Sequence, residues 1–275
     1  MIRALYTAAS GMLIGMRQQD VVADNLANSS TVGYKADQAA QTAFAGGLAR
    51  RSVPNEGPVP GRFDEVIGQL GTGAFVENVR TFLGQGSERE TGLALDVMVQ
   101  GDGFFVVQTD EGVRYTRDGH FDRDPDGRLI TADGAFVLDE NGEQITLTTN
   151  NVRIRMNGDV IQLISTDIPQ ADGSVFVDVN EEPVAKLQLV NLQADDLIRA
   201  GQSKFMVGDG SPVTPVDMDG GRTFLIQGSL EEANVNVGQT ATQMYSVART
   251  FSSSQRVFSE INKTLDTAVT DLGRM

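Results

Sequence analysis

Gly101-Asp102-Gly103-Phe104-Phe105-Val106-Val107-Gln108 decides how the middle of the chain folds. A glycine turn of the Walker type continues into Gly-Lys-Ser/Thr, and one of the Rossmann type opens a helix. Here phenylalanine and valine follow, residues that favour strands. The stretch therefore reads as a turn entering a buried strand, not as a phosphate cradle.

Working outward, the apolar period is two from about Gly73 to Gln227. The spacing predicts strands at Ala74–Arg80, Leu95–Val99, Phe104–Gln108, Val113–Thr116, Arg128–Thr131 and Ala135–Leu138. Others follow at Val152–Met156, Val160–Ser165, Val175–Val179, Ala185–Asn191, Lys204–Val207 and Thr223–Gln227. Turn dipeptides such as Asp118-Gly119, Asp126-Gly127, Asn141-Gly142 and Asn157-Gly158 separate them. Short strands punctuated in this way indicate antiparallel pairing. No helix-length pattern alternates with them, which argues against a parallel α/β sheet.

The two ends differ from the middle. Ile2, Leu5, Ala9, Met12, Met16, Ala23 and Leu26 step by threes and fours, with one gap at Gln19. That is a helical seam over the first 28 residues, and Asn28-Ser29-Ser30-Thr31-Val32-Gly33 carries stop and turn signals. At the other end Val237, Met244, Phe251, Phe258, Leu265 and Leu272 recur every seventh residue. Thr240, Val247, Ser254, Ile261 and Ala268 stand three later. The second row is partly polar, so the helix suits packing among several helices better than a two-stranded coil. Between the first helix and the strands, Ala36–Leu48 leaves helix open, and the prolines and glycines of 52–61 read as a loop or linker. The expected fold is α+β, mainly β. Residues 1–34 and 235–275 form a discontinuous helical domain, 35–72 a linker or extension, and 73–234 a central antiparallel β domain.

Composition narrows the function. The 275 residues carry a formal net charge of −15, which repels phosphate backbones and argues against nucleic-acid binding. The acidity lies in the middle: Arg3 and Arg17 balance Asp20 and Asp24 at one end, and the last helix is close to neutral. There is no cysteine, which removes disulfides, thiolate catalysis and cysteine-bound metal. The single histidine, His120, makes a Ser-His-Asp triad improbable and reads as a structural turn residue. Asp122, Asp124, Asp126, Gly127 and Asp133 fall on calcium-loop positions, but Asp133 stands where glutamate is expected, Pro125 constrains the loop, and strands flank it. An acidic hairpin turn is the better reading. No apolar run is long enough to span a membrane, and the N-terminus lacks a continuous apolar segment with a cleavage site. Amphipathic end helices either cover their own domain or serve assembly, and periodicity alone leaves both open.

Asp24-Asn25-Leu26-Ala27-Asn28-Ser29-Ser30-Thr31-Val32-Gly33-Tyr34-Lys35 resembles the N-terminal signature of the bacterial flagellar rod and hook proteins. The opening Met1–Met12 is similar to rod proteins of that family. Gly101–Val107, Tyr115-Thr116-Arg117-Asp118-Gly119-His120-Phe121 and Gln227-Gly228-Ser229-Leu230-Glu231-Glu232-Ala233-Asn234-Val235-Asn236 resemble its later motifs, in family order. Asp24 and Ala233 depart from the usual residues. The resemblance implies a non-catalytic axial subunit, proximal or distal in the rod, without cofactor, metal or small-molecule substrate. Its partners would be copies of itself, other rod and hook subunits and the flagellar type III export apparatus. Its place would be the basal body, outside the cytoplasm, reached without a cleaved signal peptide and without embedding in the membrane. The assembly seam would include Leu5, Met12, Met16, Asn25, Leu26 and Asn28, with Val237, Met244, Phe251, Phe258, Ile261, Leu265 and Leu272. Gly33 would supply a positive φ where the chain leaves the first helix. The alternatives are a short hook-type protein, or a secreted acidic β protein that binds calcium or carbohydrate.

Overall fold

The computed structural model describes residues 2–44, 47–55, 61–71, 73–149, 151–169, 175–201, 203–208, 210–218 and 220–273. The fold is α+β and mainly β, with a helix at each end and antiparallel strands between. Helix α1 spans Ile2–Ala27 and α2 spans Val237–Leu272. At 36 residues α2 is about 54 Å long, at about 1.5 Å per residue. Just past α1 the amide of Thr31 bonds the carbonyl of Asn28 at 3.0 Å, closing the turn that the Asn-Ser-Ser-Thr run announces.

The chain divides into two compact units. One holds Met1–Leu26, Asp37–Arg80 and Val237–Met275; the other holds Ala27–Ala36 and Thr81–Asn236.

In the first unit, strand Asp37–Ala43 pairs with Ala74–Thr81, and Gly47–Asn55 pairs antiparallel with Gly61–Leu70. Ala39, Ala40 and Ala43 thus lie in a strand and Ala36 in the connection before it, not in helix; Ala45 lies outside the described residues. Alanine's helix preference is worth under about 1 kcal/mol per residue, and a partner strand outweighs it. The proposed loop at 52–61 is strand through Asn55 and again from Gly61; residues 56–60 lie outside the described residues. Phe44 and Phe75 meet with ring centroids 5.2 Å apart.

The second unit is built on a sheet in the order Leu197–Arg199, Lys204–Val207, Gly112–Thr116, Phe104–Thr109, Phe136–Val137, Leu129–Thr131, Phe121–Arg123. Leu189–Asn191 also joins Phe104–Thr109, and every registered pairing is antiparallel. The Phe104–Val107 run explains its own composition. Phe105 and Val107 face a core with Val97, Leu129, Val137 and Leu225. Phe104 and Val106 face a second cluster with Val190, Leu192 and Phe205. A strand covered on both faces needs apolar residues at every position. Val152–Ile154, Asp159–Pro169 and Val175–Lys186 form a three-stranded sheet. Val97–Gln100 pairs with Phe224–Gln227, and Glu88–Glu90 with Ser229–Glu231.

Candidate assembly interface

Within the first unit the helices touch through glycine notches. A Cβ on Gly11 would lie 3.1 Å from Ser254 Oγ, and one on Gly15 would lie 3.3 Å from Phe251 Cβ. As the α1 number rises the α2 number falls, so the two helices run antiparallel there. Absence of a side chain at 11 and 15 lets the backbones approach, at the cost of weaker helix propensity.

Exposure follows the sevenfold rows of α2. Thr240 and Val247 are buried; Met244, Phe251, Ser254, Phe258, Ile261, Leu265 and Ala268 are half-buried; most positions between them are exposed. Val237, at the start, is 51% exposed, and the side chain of Leu272 lies outside the described residues. On α1, Leu5, Met12 and Leu26 are half-buried while Met16 is 51% exposed. Asn25 does something internal. Its amide nitrogen donates to the carbonyl of Asp37 at 2.8 Å, and its oxygen accepts from the Asp37 amide at 2.9 Å. Asn28 accepts from Thr31 through both its carbonyl and its side chain.

In the second unit, residues 27–36 close against 229–236. Gly33 takes φ +66°, and its amide donates to the Glu231 carbonyl at 2.8 Å. A Cβ there would lie 2.4 Å from the Asp118 nitrogen, so both conformation and space demand glycine. Asn234 accepts from the Ala36 amide at 2.7 Å and donates to the carbonyls of Phe82 and Gly84. Beneath this lies a buried charge cluster. Lys35 Nζ is 2.6 Å from Glu231 Oε1, and Arg117 donates to Glu231 Oε2 at 3.3 Å. All three side chains are less than 5% exposed. The Gly86 amide gives the carboxylate a third donor.

Of the calcium-loop positions, Asp122 lies in strand Phe121–Arg123, Asp124, Asp126 and Gly127 lie in the turn between it and Leu129–Thr131, and Asp133 lies in the next turn, before Phe136–Val137. Their carboxylates are taken up locally. Arg128 donates to Asp124 at 2.7 Å and Asp126 at 2.9 Å, Asp122 accepts from the Arg123 amide, and Asp133 is bound by Lys204 and Thr131. Those bonds from Lys204 and Thr131 outweigh the effect of burial and hold the Asp133 carboxyl below the usual range. His120 sits at a turn, with Nδ1 2.7 Å from the buried Asp96.

Comparison with known proteins places these segments. Residues 5–35 match the flagella basal body rod protein family, 98–162 match the flagellar hook protein FlgE/F/G D1 domain, and 226–271 match the flagellar basal body rod FlgEFG protein C-terminal family. The chain belongs to the flagellar basal-body rod family, of the FlgF/FlgG type. It is 28% identical to the flagellar basal-body rod protein FlgG of Bacillus subtilis over 98% of both chains. It is equally similar, over 98% of each, to FlgF of Mesorhizobium japonicum. FlgF of Caulobacter vibrioides is 37% identical over 147 residues, 54% of this chain and 55% of that one.

The three family matches meet at the buried charges: Lys35 lies in the first, Arg117 in the second and Glu231 in the third. Reading the sequence missed this cluster. Each member closes or interrupts a quoted motif, but nothing in the local pattern pairs residues 35, 117 and 231.

Proposed function

We propose that the chain polymerises through its terminal helices into the axial tube of the flagellar basal-body rod, the structure that transmits torque. That it is a structural rod subunit and not an enzyme follows from its family. The observation that carries the assembly reading is the pair of end helices with near-neutral charge flanking an acidic β region. A subunit that repeats by heterologous contact builds an open helical array, and such contacts need seams without self-repulsion. Residues 1–34 and 235–275 form the assembly domain in this reading, and 73–234 form the outer β domain. The neighbours are copies of this chain and other rod and hook subunits in the basal body. It reaches them through the flagellar type III export apparatus, without a cleaved signal. The helices hold no run long and apolar enough to cross a membrane among the described residues. The test is recovery of the labelled chain in purified basal bodies from a strain lacking the native copy, scored with motility. Motile cells whose basal bodies lack the chain would refute the assignment.

A further inference from the structure

The chain passes between the two units four times, and three of the passages lie at Ala36/Asp37, Arg80/Thr81 and Asn236/Val237. On the second unit's side, one side chain joins all three. Asn234 Oδ1 accepts from the Ala36 amide at 2.7 Å. Its Nδ2 donates to the carbonyls of Phe82 at 2.8 Å and Gly84 at 2.7 Å. Its own amide donates to the Tyr34 carbonyl at 3.3 Å, and the Phe82 amide donates to the Ala36 carbonyl at 2.7 Å. An asparagine amide carries two N–H donors and one acceptor oxygen on one short stem. A carboxylate of the same size has no donor for the two carbonyls.

The same three segments are bonded again in a second layer. Glu231 takes Lys35, Arg117 and the Gly86 amide on its carboxylate. Its carbonyl accepts from Gly33 at 2.8 Å, and the Glu232 amide donates to the Ser87 carbonyl at 2.9 Å. Lys35 Nζ donates to the Gly84 carbonyl at 3.0 Å, so that oxygen serves both layers. Tyr34 and Lys35 are each 1% exposed, and Arg199 lies 4.6 Å over the Tyr34 ring while bonding the Lys35 carbonyl. No segment can leave alone without cost to the others. Losing 33–36 takes a cation from buried Glu231. Losing 231–234 leaves Lys35 and Arg117 without their anion. Losing 82–87 strips the Asn234 donors and the Lys35 ammonium of their carbonyls. Groups orphaned in this way cost more than the bonds are worth when made.

We propose that Asn234 is the keystone of a brace that makes 33–36, 82–87 and 231–234 open and close as one body. A displacement entering the second unit along any of these three segments is then shared by all of them. The brace is a property of the chain by itself and does not rest on the rod reading.

The experiment is native-state hydrogen exchange on the full chain in rising, sub-denaturing urea. In the parent protein the amides of Gly33, Ala36, Phe82, Gly86 and Glu232 should exchange through one opening, with one urea dependence. Asn234→Ala should speed all five by the same factor, about ten- to a hundredfold. The amide of Gly142, in a separate turn bonded to Asp139, should keep its rate. Asn234→Asp retains the acceptor for Ala36 but loses both donors, and it too should speed all five. Of the five amides, only that of Ala36 bonds the Asn234 side chain directly. A change confined to Ala36 in Asn234→Ala, or none in Asn234→Asp, would show a local bond and overturn the brace. If neither variant folds, the parent decides: separate urea dependences among the five amides would refute a single opening.

Discussion

Gly33→Ala tests the closure of residues 27–36 on the Arg117–Asp118 turn. At φ +66° an alanine pays about 1–2 kcal/mol for the left-handed conformation alone. Its Cβ would also meet the Asp118 nitrogen at 2.4 Å, the Arg117 carbon at 2.5 Å and the Arg117 oxygen at 2.7 Å. All three are backbone atoms, so no side chain can swing aside. Forcing them apart costs about 1–3 kcal/mol, as overpacking does elsewhere. The same shift strains the 2.8 Å bond from the Gly33 amide to the Glu231 carbonyl, which is worth about 1 kcal/mol. Gly142→Ala is the control: φ is +79° there and nothing lies within 4 Å of the added carbon. It pays the conformational cost only. The difference between the variants should be about 2–3 kcal/mol, or about 5–10 °C in the melting of a unit this size. Circular dichroism of the β signal against temperature gives the measurement. Equal shifts for the two variants would mean that the Arg117–Asp118 turn gives way freely and that the junction at Gly33 is not tight.

Phe258→Asp should abolish incorporation into basal bodies while the second unit melts as before. A carboxylate placed in that half-buried row costs several kcal/mol or takes up a proton, whereas Ser253→Asp, on an exposed position, should assemble. Normal assembly of Phe258→Asp would remove the α2 row from the interface. Asp118 supplies a pH test. Burial raises its carboxyl above the usual value, against the pull of the His120 amide and ring. The folded state then holds a proton more tightly than the unfolded one, so this group's contribution declines as pH rises from 3.8 through the folded value. Asp118→Asn should therefore raise the urea midpoint at pH 7 relative to the parent, and the gain should shrink toward pH 4. A loss at pH 7 would show the charged form to be the stabilising one.

Both helices were readable because their rows repeat over many turns. Ile2 to Leu26 and Val237 to Leu272 give each period enough repeats to stand out. The Phe104–Val107 run was readable as a strand, but its burial on both faces was not, since the second cluster depends on Val190, Leu192 and Phe205 far along the chain. Glu88–Glu90 and Ser229–Glu231 were missed because three residues, mostly charged or polar, show no alternation. Their pairing brings Glu231 into place, so the charge cluster was hidden with them. The Ala36–Leu48 stretch misled through intrinsic preference, which the Asp37–Ala43 pairing overrode. Of the seam residues, Asn25 shows how a signature can point to the right segment through a different role: its side chain closes on the Asp37 backbone.

The two kinds of surface carry different physical assignments. In the β unit Phe104, Phe105, Val106 and Val107 are all buried, and nothing apolar in that run is left to attract a neighbour. On the helices Tyr6 and Leu13 of α1 and Tyr245, Val257 and Val269 of α2 are exposed in the single chain. Exposed apolar side chains that recur along both terminal helices are a standing cost in water, which another surface can remove. The same helices carry nearly balanced charge, so repulsion between copies does little to oppose that contact. An acidic surface on the β unit has the opposite effect and disfavours association of copies through it. Under the proposed reading, attraction at the ends with repulsion in the middle would direct assembly to the helices. Moving charge should therefore move the behaviour: aspartates at Tyr245 and Val269 should block assembly, while neutralising Asp110 and Glu111 should leave it intact.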